Sequence, residues 1–234
     1  MALYAMADLH LSESTGKPMD IFGPMWQNHS RKIEENWPLT DGDTIVIPGD
    51  FSWAMSLEEV RADFDFLARL KGRKILSKGN HDYWWSSMKK ITDLVSDYGN
   101  IAFLHNNSIP AEGISLCGTR GWIQEPGEAA DIKVLKREAE RLERSILAAE
   151  SEPVVFLHYP PICGNIFCEP IMEVLIKHKI NRCYYGHLHG KAIRAAKEGK
   201  FYGTEFRLVS ADHLNFCPLK IDFPENAPAK ENFI

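Results

Sequence analysis

Five short apolar runs in this chain each end in a cluster of metal-ligating side chains, and this pairing constrains the fold more than any other feature. The runs cover residues 3–7, 44–47, 74–76, 154–157 and 182–185. Directly after them come Asp8-Leu-His10, Gly49-Asp50, Gly79-Asn80-His81-Asp82, His158 and Gly186-His187-Leu-His189. A short continuous apolar run bounded by turn residues reads as a buried strand. In α/β sheets ligands bind beyond the carboxyl ends of the strands, so donors distant in sequence converge there. The donors are carboxylates, an amide oxygen and imidazoles, a set that suits divalent metals.

Asp8 and His10 stand two residues apart, and in an extended segment residues i and i+2 point to one face. Both can therefore hold one ion, and His187 with His189 repeats the spacing. Asp50 is the natural bridge between two cations, which lie about 3.5–4 Å apart in two-metal sites. Taken singly, Asp8, Asp50 and Asn80 are also common turn residues, and a lone H-x-H is a weak signal. Five strand-end clusters with complementary donors point instead to a metal-dependent hydrolase. His29, His105, His178 and His213 read as surface or packing histidines.

With 44% hydrophobic and 25% charged residues, the chain has the composition of a soluble globular protein. Its 234 residues suffice for one large domain, expected over 1–234. A net charge of −5 argues against a nucleic-acid partner, which usually brings a basic surplus; a local basic patch is still compatible with it. The five cysteines form no C-x-x-C pair, which suits a reducing compartment. No run approaches the roughly 18 apolar residues of a membrane helix, and the N-terminus enters a strand at once. A cytoplasmic protein with no membrane partner is expected.

Strand-like and helix-like segments alternate through most of the chain, as in layered α/β folds. Helices are expected over 25–37, ended by Pro38, and after Ser56, where Glu59 completes a capping box ahead of Val60, Phe64, Leu67 and Leu70 on one face. Further helices are expected over 84–98, 128–150 and 169–179. In the fourth, Ile132, Leu135, Ala139, Leu142, Ile146 and Ala149 recur at three- and four-residue spacing, which marks an amphipathic helix packed on a sheet. After His189, segments 191–197, 199–210 and 218–221 read as a terminal β meander. Residues 225–234 read as a surface tail.

In order, the motifs D-x-H, G-D, G-N-H-D, a lone H and G-H-x-H resemble those of the calcineurin-like metallophosphoesterase superfamily. All five elements stand here between Asp8 and His189. The resemblance implies a four-layer α-β-β-α sandwich, two mixed sheets packed face to face with helices outside. It also implies a two-metal hydrolytic site, and His, Asp and Asn ligation suits manganese, iron or zinc alike. One ion would take Asp8, His10, Asp50 and His189; the other Asp50, Asn80, His158 and His187. His81 matches the family's non-ligand histidine near the leaving group. The implied reaction is hydrolysis of a phosphomonoester or phosphodiester by a metal-bound hydroxide, with His81 giving a proton to the leaving oxygen. Many phosphoprotein phosphatases of the superfamily carry a second Asp, G-D-x-x-D, that pairs with this histidine. Trp53 occupies that position here, so His81 needs another orienter, Asp82 or a backbone carbonyl. Trp53 also excludes the ligating Tyr of purple acid phosphatases.

Substrate choice lies outside the ligands. Trp53 and Trp122 either pack behind the site, as large aromatics usually do, or form a wall for a flat group. Arg120, set between Thr119 and Gly121, either clamps a phosphate bidentately or is an ordinary surface arginine. The expected partner is a small phosphorylated substrate. A nuclease of the same superfamily and a non-catalytic metal-binding scaffold on the same fold are the competing readings.

Overall fold

The computed structural model describes residues 1–123 and 131–222. The chain opens with β1 (Leu3–Ala5), α1 (His29–Glu35), β2 (Thr44–Pro48), α2 (Val60–Arg69), β3 (Arg73–Ser77), α3 (Met88–Val95) and β4 (Ile101–Phe103). The hairpin strands β5 (Ser108–Ala111) and β6 (Ile114–Thr119) follow, then α4 (Asp131–Leu147) and β7 (Pro153–Leu157). A small ribbon, β8 (Ile162–Cys163) and β9 (Ile166–Phe167), precedes α5 (Glu169–Lys177) and β10 (Arg182–Tyr185). Strands β11 (Gly199–Phe201), β12 (Thr204–Leu208) and β13 (Leu219–Ile221) close the described chain.

The strands form two mixed sheets. One runs β13-β1-β2-β3-β4, the other β11-β12-β10-β7-β6-β5. Strands β1 to β4 are parallel and β13 joins β1 antiparallel. In the second sheet β6, β7, β10 and β12 are parallel, with β5 and β11 antiparallel at the edges. Parallel strands need covering on both faces, which is why β1, β2 and β7 are largely apolar, while β12 near the sheet edge alternates with the charged Glu205 and Arg207. Within β2, Ile45 and Ile47 point to the α1–α3 side while Val46 points to the other sheet. Leu3, Ile75, Leu116, Val154, Phe156 and Tyr184 fill the layer between the sheets. Helices α4 and α5 cover the far face of the second sheet through Leu135, Leu142, Ile146, Ile171 and Leu175. This is the four-layer α-β-β-α arrangement.

Glycine is required where two neighbouring strands of the second sheet come closest. A Cβ at Gly118 in β6 would collide with the carbonyl of Phe156 in β7, and backbone cannot swing aside as a side chain can. Gly118→Ala is expected to lower stability by about 1–3 kcal/mol or more, read as a fall in the denaturation midpoint at an unchanged slope. An unchanged midpoint would mean that the two strands are less closely held.

Several elements differ from the sequence reading. The 25–37 helix breaks into a 3-10 turn at Pro24–Trp26 and α1, with Asn28 left-handed between them (φ 54°). Burying Trp26 beside His10, His189 and Phe216 overrides the helical pattern. Helix α3 begins only at Met88, capped by Ser87, because the Trp84 indole N–H donates to Asp82 and ties that segment to the site loop (3.1 Å). The Ser56 hydroxyl does cap the next turn, accepting the Glu59 N–H (3.2 Å). Residues 128–130 of the fourth expected helix, and the tail from 225, lie outside the described residues. Within α4, Leu135, Ala139, Leu142 and Ile146 are buried as expected while Ile132 is exposed. Among the described residues the segments after His189 do not form a meander. Residues Gly190–Ala195 form a 3-10 helix, β11 and β12 extend the second sheet, and β13 crosses to the first. Cys117 and Cys183 are buried, and among the described residues no two cysteines form a disulfide. Among the described residues no helix is long and apolar enough to cross a membrane.

Candidate metal centre

The carboxyl ends of β1, β2, β3, β7 and β10 meet at the seam between the sheets. The backbone turns sharply there. Asp8, His10, Asp50 and His187 all have left-handed φ, at 61°, 46°, 52° and 74°. Such conformations cost non-glycine residues roughly 1–3 kcal/mol each and cluster where function demands a geometry. Asp8 and His10 therefore share the site through two left-handed turns, not through the extended segment their spacing suggested. The turns are fixed by hydrogen bonds from His10 N–H to the Asp50 carbonyl (3.0 Å) and from Asp8 N–H to that of Gly49 (3.0 Å).

The seven expected ligands gather into two groups. Ligand atoms of Asp8, His10, Asp50 and His189 all lie within 4.8 Å of one another. His10 Nε2 is 3.2 Å from His189 Nε2, and His189 Nε2 is 3.4 Å from Asp8 Oδ1. Ligands held about 2.0–2.1 Å from one tetrahedral ion stand roughly 3.3 Å apart, so these spacings fit a shared cation. In the second group Asn80 Oδ1 is 2.6 Å from His158 Nε2 and 2.9 Å from His187 Nδ1. Asp50 joins the groups: its Oδ2 is 3.8 Å from His10 Nε2 and 3.5 Å from His158 Nε2. That oxygen is buried without a hydrogen-bond partner, a costly state for a carboxylate. Its Oδ1 accepts the His81 N–H (2.8 Å). The first group thus fits a divalent ion, and Asp50 stands between it and the Asn80 group.

The electrostatics agree with that fit. Burial, then Asp8 beside it, pushes the Asp50 carboxyl up to about 8. Burial also opposes charge on Asp8, yet His189, His158 and His10 hold it below the usual carboxylate range. His189 is lifted to about 10 because Asp8 and Asp212 outweigh its burial. Burial pushes His10 and His158 down, so their approaches to Asp50 are contacts of neutral imidazoles, not ion pairs. Protons held in such a cluster are those a divalent cation displaces.

Hydrogen bonds outside the ligand set orient it. His158 Nδ1 donates to the Pro48 carbonyl (3.2 Å), which leaves Nε2 as the ligand atom. His189 Nδ1 faces Asp212 Oδ1 (3.3 Å), and Asp212 also accepts the Gly190 N–H (2.8 Å). Such partners fix the tautomer and raise ligand basicity. Asp212 was missed in the sequence, although Ser210-Ala-Asp212 follows β12 as the other donors follow their strands. Asp212→Asn is expected to weaken metal binding at the His189 group by roughly 10–100-fold and leave the Asn80 group unaffected. Calorimetric metal titration checks this, and two unchanged affinities would contradict it.

Asp82 is placed differently from the role expected of it. Its carboxylate accepts backbone N–H bonds from Gly79 (2.7 Å), Asp50 (3.0 Å), Phe51 (3.0 Å) and Ser52 (3.3 Å). It therefore pins the two glycine loops together and makes no hydrogen bond to the His81 ring among those observed. Trp53 supplies the packing instead, with its ring 4.5 Å from that of His81 and stacked at 4.8 Å on that of His10. Trp53 also lines a cavity of about 350 Å³ with His10, Trp26, His81 and His189. Arg120 opens into a separate cavity, and its guanidinium sits 4.7 Å over the Trp122 ring. Trp122 lines neither cavity and packs on Tyr159. Of the three expected substrate residues, only Trp53 shares a cavity with the ligands.

Comparison with known proteins agrees with this geometry. The family model described as calcineurin-like phosphoesterase matches residues 1–191. No curated protein matches the sequence. Among solved structures, a phosphopantetheinyl hydrolase from Mycobacterium tuberculosis is 16% identical with a TM-score of 0.57, covering 97% of this chain and 98% of that one. A protein of unknown function from Aquifex aeolicus is 17% identical with a TM-score of 0.52, covering 94% and 95%. At these identities the likeness is one of fold.

Proposed function

Because this chain belongs to the calcineurin-like phosphoesterase family, we propose that it is a two-metal hydrolase of small phosphomonoesters or phosphodiesters. The observation that carries this reading is Asp50, whose buried, unpartnered Oδ2 lies between a histidine of each ligand group. Asp8, His10, Asp50 and His189 would hold one ion, and Asp50, Asn80, His158 and His187 the other. Manganese, iron or zinc each suits such ligands. A divalent pair there would supply a nucleophile from water near neutral pH and positive charge facing the phosphate oxygens. The neutral Asn80, in place of a third carboxylate, keeps the site positive for an anionic substrate.

The chain's own residues would do the rest. His81 borders the cavity, and burial together with His158 pushes its pKa down to about 4. Neutral at pH 7 in the free protein, it would take up a proton beside the bound phosphate anion, whose charge favours the imidazolium, and that imidazolium would deliver the proton to the leaving oxygen and return to neutral imidazole. Trp53, Trp26 and Phe22 line the same cavity, so the leaving group would rest on an aromatic wall. A space of about 350 Å³ suits a small group better than a duplex.

A hydrolysis panel on protein reconstituted with each metal tests the reading. It compares aryl phosphomonoesters, phosphodiesters, cyclic nucleotides, a phosphopantetheinyl ester and single-stranded DNA. Metal-dependent turnover of a small ester is expected, with DNA left intact. Turnover of DNA alone would assign a nuclease, and inert protein with both metals bound would assign a scaffold.

A further inference from the structure

Beside the Asn80 group, and sharing no lining residue with the His81 cavity, lies a second cavity of about 450 Å³. Four cations line it: Lys78 just after β3, Arg120 just after β6, and Arg137 and Arg141 on α4. Among the described residues Glu138 is the one acid in its wall. That carboxylate is fully buried and already engaged, accepting from Thr119 Oγ1 (2.5 Å) and Arg141 (2.6 Å). In a chain of net charge −5, such a concentration of positive charge is a local departure.

The arrangement is unfavourable when empty. Arg137 and Arg141 stand four residues apart on one helix, where like charges destabilise each other by roughly 0.2–0.5 kcal/mol. Arg120 Nε is buried without a hydrogen-bond partner. A bound oxyanion would relieve both, and guanidinium forks match phosphate geometry. The cavity is also tied to the metal centre. The Arg120 carbonyl accepts the N–H of His158 (3.1 Å) and of Tyr159 (2.9 Å), and Lys78 precedes Asn80 by two residues.

We propose that this cavity is a second phosphate subsite, which receives a phosphate of the substrate other than the one hydrolysed. The substrate class is then a molecule carrying two phosphate groups joined by a spacer. This inference rests on the phosphoesterase reading of the metal centre.

The test has two arms. On metal-loaded protein, kcat/KM is compared for alkanediol bisphosphates of increasing spacer length and the matching alkyl monophosphates. On metal-stripped protein, binding of inorganic phosphate is measured by calorimetry. At least one bisphosphate should be preferred by about tenfold or more, the factor carried by one charge-assisted hydrogen bond. Arg137→Glu should bring that ratio to about one and abolish phosphate binding to the stripped protein. Arg144→Glu, which reverses a charge on α4 outside the cavity, should leave the ratio unchanged. Equal kcat/KM for both series overturns the inference while the phosphoesterase reading stands. Arg137-dependent phosphate binding without any preference also overturns it, because the cavity then serves a free phosphate ion. Absence of turnover with both series overturns the phosphoesterase reading, and the inference with it.

Discussion

Asp50→Ala should hold fewer than one tightly bound metal per chain, where the unmodified protein should hold two, and its turnover should fall by roughly 10³-fold or more. The stoichiometry follows from position. Asp50 Oδ2 is the atom common to both ligand groups, so its removal strips a ligand from each. The turnover follows from charge, since metal stabilisation of a phosphoryl transition state amounts to several kcal/mol and each 1.36 kcal/mol is tenfold in rate. Asp50 Oδ1 also accepts the His81 N–H, so loss of the side chain disturbs the loop as well. Asp50→Asn separates the two effects, because it keeps an acceptor for that N–H and removes the negative charge. If both variants lose metal together, the charge is responsible. Two tightly bound metals in Asp50→Ala would show that the ligand map is wrong.

Replacing His81 should do the opposite, leaving both metals in place while turnover falls. A positioned proton donor contributes about 10²–10⁴-fold, and that full factor is expected for alkyl phosphates, whose leaving oxygen needs a proton. Nitrophenyl phosphate should lose much less, because its leaving group departs unprotonated. His81 lies outside both ligand groups, so elemental analysis of His81→Ala should match the unmodified protein. The ring is held by Trp53 in place of a carboxylate. Trp53→Leu should therefore reproduce a milder form of the same leaving-group dependence. Equal losses for alkyl and nitrophenyl esters would remove His81 from proton delivery and leave it a packing residue.

Much of this site was readable because its signals are local. A strand-like run followed at once by a metal donor occurs five times, and every such donor arrives at the same sheet ends. The buried strands were legible for a related reason, since strands covered on both faces leave continuous apolar runs, whereas their division into two mixed sheets followed from the resemblance to the family and not from any run. Asp212 carries no such emphasis. It is one acid after one strand, and only the fold brings it to His189. The part played by Asp82 was hidden because all but one of its partners, the Trp84 indole apart, are backbone N–H groups, which every sequence possesses. Trp26 shows the opposite failure. The helical pattern around it was real, but burial of one large ring against His10 and His189 reshaped the segment. Asp and His tolerate left-handed backbone better than most residues, but its use at Asp8, His10, Asp50 and His187 is fixed by tertiary contacts.

In the proposed site one carboxylate, that of Asp50, joins two metal ions in a single centre. Electron paramagnetic resonance of the protein titrated with Mn²⁺ tests it most directly, because two ions bridged by Asp50 must be magnetically coupled. The spectrum should change, as the second equivalent binds, from that of an isolated ion to that of a spin-coupled pair. Saturation at one ion per chain, or at two with the spectrum of isolated ions throughout, would contradict it.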